Sequence, residues 1–424
     1  MAGPITRGTI RTSFVLGLRL LVQASTLLIV ARVLGPQGFG AFAGVAALAV
    51  ILGTLSSLGI HLVLLGEVSR DPVRREQVLP YAVPFTLLCG GVLFAVYMLI
   101  SLFALREAAV PVAVLIVIGV TELWLQPLLG LPASEHLGLG RIARSQLLQT
   151  LPLALRLLAA AAVFILHPVD PLAAYAYGYL IASVVALVIA TTTMPAPWPR
   201  MKRWRLPTRT ELRSSAGYAT LNITSSSPSE LDKILATKLL PLASAGMYAV
   251  SARVISAATL PVIAMTLAAL PRLFRDAHGQ PKRTAHLLRW IFGAALAYSL
   301  TLAVMLWFAA PIFVWIFGPK YHGLQHMIHW LTLAVPGMAL RIAAGSVLMA
   351  LGRPWMQVGF EVAGLGVLIG ASIVLTQHLG TTGMALALVC SEWGMAVIGL
   401  SLVIRQMGLL AHAHRGQKAA NTAS

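Results

Sequence analysis

Apolar runs of about twenty residues recur along nearly the whole chain, and few charges interrupt them. Coiled as an α-helix, a run of that length crosses a hydrocarbon layer of about 30 Å. The composition agrees: 58% of residues are hydrophobic and 10% charged, where a soluble domain carries about 25% charged residues. The mean hydropathy is +0.84. In water such a chain could not cover its surface with polar groups. In lipid every backbone polar group must be satisfied internally, so the spanning elements are helices or closed barrels. The runs are continuous and lack a period of two, which selects helices. Spans are predicted near 13–34, 39–65, 81–104, 108–130, 146–166, 169–193, 214–237, 244–270, 287–317, 327–351, 356–377 and 382–404. The expected class is an all-α integral membrane protein of about twelve transmembrane helices. The stretch 287–317 exceeds one crossing and is expected to tilt or to run past the interface.

Arg7 and Arg11 ahead of the first apolar run imitate a signal peptide, but the run is too long and contains Arg19 and Gln23. It is read as an uncleaved first helix. The basic residues sort by side. Twenty-two Lys and Arg fall in the N-terminus, in alternate loops and in the C-terminal tail, against four (Arg32, Arg106, Lys238, Lys320) opposite. This is the positive-inside pattern, and it assigns both termini to the cytoplasm of a multi-pass inner-membrane protein. It also accounts for the formal charge of +18 without a nucleic-acid partner. Cys89 and Cys390 both sit in apolar runs, so no disulfide framework or Cys-rich metal site is expected.

Segment 194–213 (MPAPWPRMKRWRLPTRTELR) is basic, Pro-rich and free of apolar periodicity. It is expected to be a cytoplasmic linker between an N-terminal six-helix bundle, 1–193, and a C-terminal one, 214–404, with a disordered tail over 405–424. The halves share a pattern at an offset of 206: Leu34-Gly35-Pro36 with Gly40 and Phe42 matches Leu240-Pro241 with Gly246 and Tyr248. An even number of spans per half would make the repeat parallel, with its axis along the membrane normal.

Charges inside spans cost about 2.5–3.5 kcal/mol near the bilayer centre, so they face protein or a wet cavity. Here they are Arg19, Arg156, Lys233, Arg253 and Arg341 against Glu122, Glu230, Asp232, Glu361 and Glu392. The balance suits helix–helix pairing as well as a binding site. Two stripes favour a site. Arg19, Gln23 and Thr26 share one face of the first helix, and Asn222, Ser226, Ser229 and Lys233 share one face of the seventh, beside Asp232. Pro228 is expected to kink that helix. Arg and Lys facing a cavity suit a phosphate-bearing substrate. The predicted substrate path is therefore Arg19, Gln23, Arg32, Arg156, Asn222, Asp232, Lys233, Arg253 and Arg341, and the ion-coupling carboxylates are Glu122, Glu361 and Glu392. His322, His326 and His329 have metal-ligand spacing but no carboxylate or thiol beside them, so an interfacial polar face is the preferred account. No P-loop, Gly-x-Ser-x-Gly elbow or His-Glu-x-x-His is present, and neither a cofactor nor a soluble catalytic domain is expected.

The string Ala31-Arg32-Val33-Leu34-Gly35-Pro36-Gln37-Gly38-Phe39-Gly40-Ala41-Phe42 resembles the end of the first helix in the polysaccharide-exporter family, the Wzx-type oligosaccharide flippases. Asp232-Lys233 followed by Ala245-Gly246-Met247-Tyr248, Leu270-Pro271-Arg272-Leu273, and Phe317-Gly318-Pro319-Lys320-Tyr321 resemble the same family, in the expected order. The resemblance implies the multidrug/oligosaccharidyl-lipid/polysaccharide (MOP, MATE-like) fold, two six-helix bundles around a central cavity. It implies a substrate of undecaprenyl-pyrophosphate-linked oligosaccharide repeat units, moved to the periplasmic leaflet for O-antigen, capsule or exopolysaccharide. Membrane lipids, a polysaccharide polymerase and other assembly proteins are then the expected partners. The family's cavity is generally basic, whereas the charges within these spans balance. A multidrug exporter of the same fold is the alternative, and the Arg-bearing faces count against its usual cationic cargo. A polysaccharide polymerase or ligase would carry a large periplasmic loop, and the longest connection on that side is about ten residues.

Overall fold

The computed structural model describes residues 4–106, 109–194, 197–226, 228–263 and 281–423, with side chains at 4–16, 214, 218, 221–226, 228, 281–285, 354 and 409–423 outside that description. Every regular element among the described residues is helical. By contact the chain forms two compact units, Met1–Gly246 and Met247–Ser424. The first contains α1 (Pro4–Ser56), α2 (Ile60–Arg70), α3 (Arg75–Phe103), α4 (Val112–Val120), a π-helical turn (Thr121–Leu125), α5 (Gln126–Gly138), α6 (Ile142–Leu166), α7 (Pro171–Thr192), α8 (Arg209–Ser226), α9 (Pro228–Leu239) and the start of α10 (Leu242–Ala258). The second holds the rest of α10, then α11 (Pro281–Phe317), α12 (Leu324–Thr332), α13 (Val335–Ala350) and α14 (Pro354–Ala423).

Eight helices among the described residues are long and apolar enough to cross a membrane, and the bent pair α12–α13 makes a ninth. Two of the eight are long enough for two crossings. Gly17–Ser56 has 40 residues and Trp355–Gly408 has 54, where about 20 suffice. Each breaks at a glycine with left-handed φ: Gly35 (φ 66) and Gly380 (φ 57). Pro36, whose fixed φ and missing N–H suit the first turn of a helix, restarts α1. At Gly380 the chain folds back. Gly383 packs against the Leu375 carbonyl, a pair that straight helix would hold about 12 Å apart. Ser391 Oγ likewise donates to the Gly364 carbonyl at 2.8 Å across the same hairpin. Two crossings in each long helix and the bent pair bring the apolar spans among the described residues to eleven, and the more polar pair α8–α9, which occupies the predicted span 214–237, would make the twelfth. Leu88, Val92 and Leu99 on α3, and Leu158 and Ile165 on α6, are exposed apolar side chains that need lipid beside them.

Besides 214–237, which falls into α8 and α9, three predicted helices are divided among the described residues. The stretch 39–65 breaks after Ser56, where Leu58 (φ 43) and Gly59 (φ 72) adopt left-handed backbone. The stretch 108–130 starts only at Val112, after Pro111, and carries the π-helical turn. The stretch 327–351 bends by 45° between α12 and α13, with Pro336 in the first turn of α13.

Close helix approach organises the first unit. A Cβ on Gly40 would collide with the Leu242 carbonyl, and one on Gly246 with the Pro36 carbonyl. Gly40 and Gly246 lie 206 apart, as do Pro36 and Leu242, so the two contacts are reciprocal under the sequence offset, as in a local two-fold relation. Thr237 on α9 extends the contact, its hydroxyl donating to the Gly40 carbonyl at 3.2 Å.

The basic segment before α8 packs on the start of α3. The Arg205 amide donates to the Pro80 carbonyl at 3.0 Å, and its guanidinium stands 4.8 Å from the centre of the Tyr81 ring. Arg205 also donates to both Glu211 oxygens, at 2.7 and 2.8 Å. The Arg205 guanidinium, against slight desolvation and with help from Thr208, pulls the Glu211 carboxyl down to about 2.

Candidate functional site

Four helices of the first unit, α1, α2, α5 and α6, line a half-open pocket of about 330 Å³. Its polar lining is Arg19, Gln23, His61, Gln126, Ser134 and Gln149. Arg19 and Gln23 sit one turn apart on α1, so both reach the same side. Arg19 Nη1 donates to Gln149 Oε1 at 3.3 Å. His61 Nδ1 lies 3.1 Å from the Ser57 hydroxyl, which fixes the ring against the turn that begins α2. Thr26, the third member of the predicted stripe, bonds its own backbone at Val22 at 2.7 Å.

Gln126 joins this pocket to a buried polar cluster. Its Nε2 donates to Ser183 Oγ at 3.4 Å, and Arg156 Nη2 donates to the same oxygen at 3.1 Å. Arg156 Nη2 also meets Glu122 Oε1 at 3.3 Å, and the Tyr179 hydroxyl donates a short hydrogen bond to that carboxylate. The guanidinium lies 3.6 Å from the centre of the Tyr179 ring, a cation–π contact. Glu122 belongs to the π-helical turn and Gln126 closes it, its N–H reaching back to the Thr121 carbonyl. One extra residue per turn swings both side chains inward, a use of π-bulges common at functional sites. Gly53 on α1 allows the backbone to lie against the Glu122 carbonyl.

The remaining predicted residues fall elsewhere. Lys233 is buried on α9, its ammonium bonded to the Ser229 carbonyl, 3.4 Å from Asp232 and 3.6 Å from Glu230. It is not part of the pocket lining. Asn222 lies on α8, but its side chain is outside those described. Arg32 on α1 and Arg253 on α10 are exposed. In the second unit Arg341 holds Glu392 at 2.7 Å and Glu361 at 3.8 Å, and Gln357 donates to Glu361 at 3.1 Å. His326 meets the Thr382 hydroxyl, while His329 stacks on Trp307 and meets its carbonyl. The structure thus joins Arg19 to Gln23 and pairs Glu122 with Arg156. Sequence reasoning missed His61, Gln126, Ser134 and Gln149. The amides Gln126 and Gln149 inside apolar runs were the available signal.

Residues 5–276 match the model of a family described as polysaccharide biosynthesis protein. The chain belongs to that family. No curated protein sequence matches this family member significantly. Its fold is that of the MOP superfamily. An inward-facing multidrug-resistance MATE transporter matches with TM-score 0.75 at 14% identity, over 93% of this chain and 96% of the other. The lipid II flippase MurJ, in an inward closed conformation, matches with TM-score 0.71 at 11% identity, over 95% and 90%. A MOP transporter from Pyrococcus furiosus, reported with a binding pocket of reversed polarity, matches with TM-score 0.66 at 14% identity, over 95% of each chain. The polysaccharide biosynthesis family and the MOP fold together support a membrane transporter of the flippase type.

Proposed function

We propose that this protein flips undecaprenyl-pyrophosphate-linked oligosaccharide repeat units across the bacterial inner membrane for O-antigen, capsule or exopolysaccharide assembly. The observation that carries the reading is Arg19 on the wall of a polar pocket, within a chain of the polysaccharide biosynthesis family. A cation is stable there because water and amides solvate it, and the headgroup of a lipid-linked sugar needs such a path. Lys233 supplies a second cation, held ready by Asp232 when no substrate is near. Among the described residues no carboxylate lines the pocket, which weighs against the cationic cargo of a multidrug exporter. Ion coupling is assigned to Glu122, Glu361 and Glu392, buried carboxylates that each sit beside an arginine, Arg156 or Arg341.

The test is export of polymer by Arg19→Ala and Lys233→Ala variants in the native host. Both are expected to insert at normal abundance, to lose export, and to accumulate lipid-linked repeat units on the cytoplasmic leaflet. Normal export by both variants, or loss explained by degradation, would overturn the path. The same assay, run after the proton and then the sodium gradient is collapsed, reads the coupling role. Transport unchanged under both conditions removes it.

A further inference from the structure

The pocket's lining is mostly neutral, and that bears on which part of a lipid-linked sugar it holds. A pyrophosphate brings at least two negative charges, and burying them needs several cations or a dense set of donors. Among the described residues the lining offers one guanidinium, Arg19, which already donates to Gln149. The other polar groups are three amides, a hydroxyl and an imidazole: Gln23, Gln126, Gln149, Ser134 and His61. Each amide both donates and accepts, as a sugar hydroxyl or acetamido group does. The amides come from α1, α5 and α6, so they converge from different helices rather than lining one solvated face. Gln126 is braced from behind by Ser183, which Arg156 also holds. The volume of about 330 Å³ is at the small end for a ligand site, room for a sugar residue or two rather than a whole repeat unit.

We infer that this pocket is a sugar subsite: it reads an uncharged hexose or N-acetylhexosamine of the substrate through Gln23, Gln126 and Gln149, while the pyrophosphate is neutralised elsewhere. The inference rests on the flippase reading for its biological setting and deepens it by naming the moiety bound. Gly130 provides a clean probe. It lines the pocket on α5, and a Cβ there would meet nothing within 4 Å. The first atom of a larger side chain at this position therefore meets no neighbouring helix.

The experiment is saturation-transfer NMR on the full chain in nanodiscs, with N-acetylglucosamine and galactose as probes and inorganic pyrophosphate as competitor. At least one neutral sugar should give a transfer signal in the wild type and in Gly130→Ala. Gly130→Leu and Gln126→Leu should reduce that signal at least fivefold at unchanged Tm, and pyrophosphate should not displace it. No sugar signal, a signal equal in Gly130→Leu, or pyrophosphate binding that Gly130→Leu abolishes would each overturn the subsite. Export in the host separates the two readings. Sugar binding lost in Gly130→Leu, with polymer export unaffected by deletion of the whole gene, would sink the flippase reading and leave the subsite standing. Normal export by Gly130→Leu in a strain whose export does need the gene would sink the subsite alone.

Discussion

Arg156 shows how a charge survives inside this bundle. Its guanidinium touches Glu122, Ser183 and the face of Tyr179, and both charged residues are more than nine-tenths buried. Removing one partner leaves the other charge unsatisfied, which costs about 3–5 kcal/mol, whereas replacing both by apolar residues is often close to neutral. Glu122→Leu and Arg156→Leu should therefore each lower the Tm of the purified protein strongly, and the double variant should recover most of the loss. A double variant as unstable as the sum of the singles would mean the residues act independently. Arg341 with Glu361 and Glu392 obeys the same logic in the second unit.

At the scale of elements, glycines decide where helices turn and where they touch. Gly35 and Gly380 split two long apolar helices into crossings, because only a residue without Cβ adopts their backbone cheaply. Gly40 and Gly246 instead let backbones meet. Gly40→Ala is expected to destabilise by about 1–3 kcal/mol or more, since the methyl meets backbone that cannot swing aside. Gly217 in α8 has open space around it, so Gly217→Ala should be neutral or stabilising by about 0.5–1 kcal/mol. Thermal unfolding of the two variants side by side checks the contrast. Equal stability would show that the α1–α10 contact is looser than the helices' spacing implies.

At the scale of the whole molecule, the distribution of Lys and Arg sets orientation. With twenty-two basic residues on one side and four on the other, both termini and the segment around Lys202 are expected in the cytoplasm. Reporter fusions after Ser424 and within 198–209 should read cytoplasmic, and a periplasmic signal at either place would overturn the orientation. The docked Arg205, tied to Pro80 and Glu211, places any insertion near it against α3, so fusions are best made after Lys202.

The sequence by itself determined the solvent, the helical class, the number of crossings and the family. Those follow from quantities that add along the chain: apolar length against bilayer thickness, basic residues per loop, and short motifs in order. It also revealed the Arg19–Gln23 face, because residues four apart on a helix share a side whatever surrounds them. Only the tertiary structure decided the partners. Arg19 rests on Gln149, 130 residues away, while Glu122 is held by Arg156, 34 residues away. It alone made Gln126 both a pocket wall and the brace to Ser183, through a π-helical turn that apolar periodicity does not signal. Periodicity reports which way a side chain faces. What it meets there depends on how separate helices pack, and no local stretch of sequence carries that information.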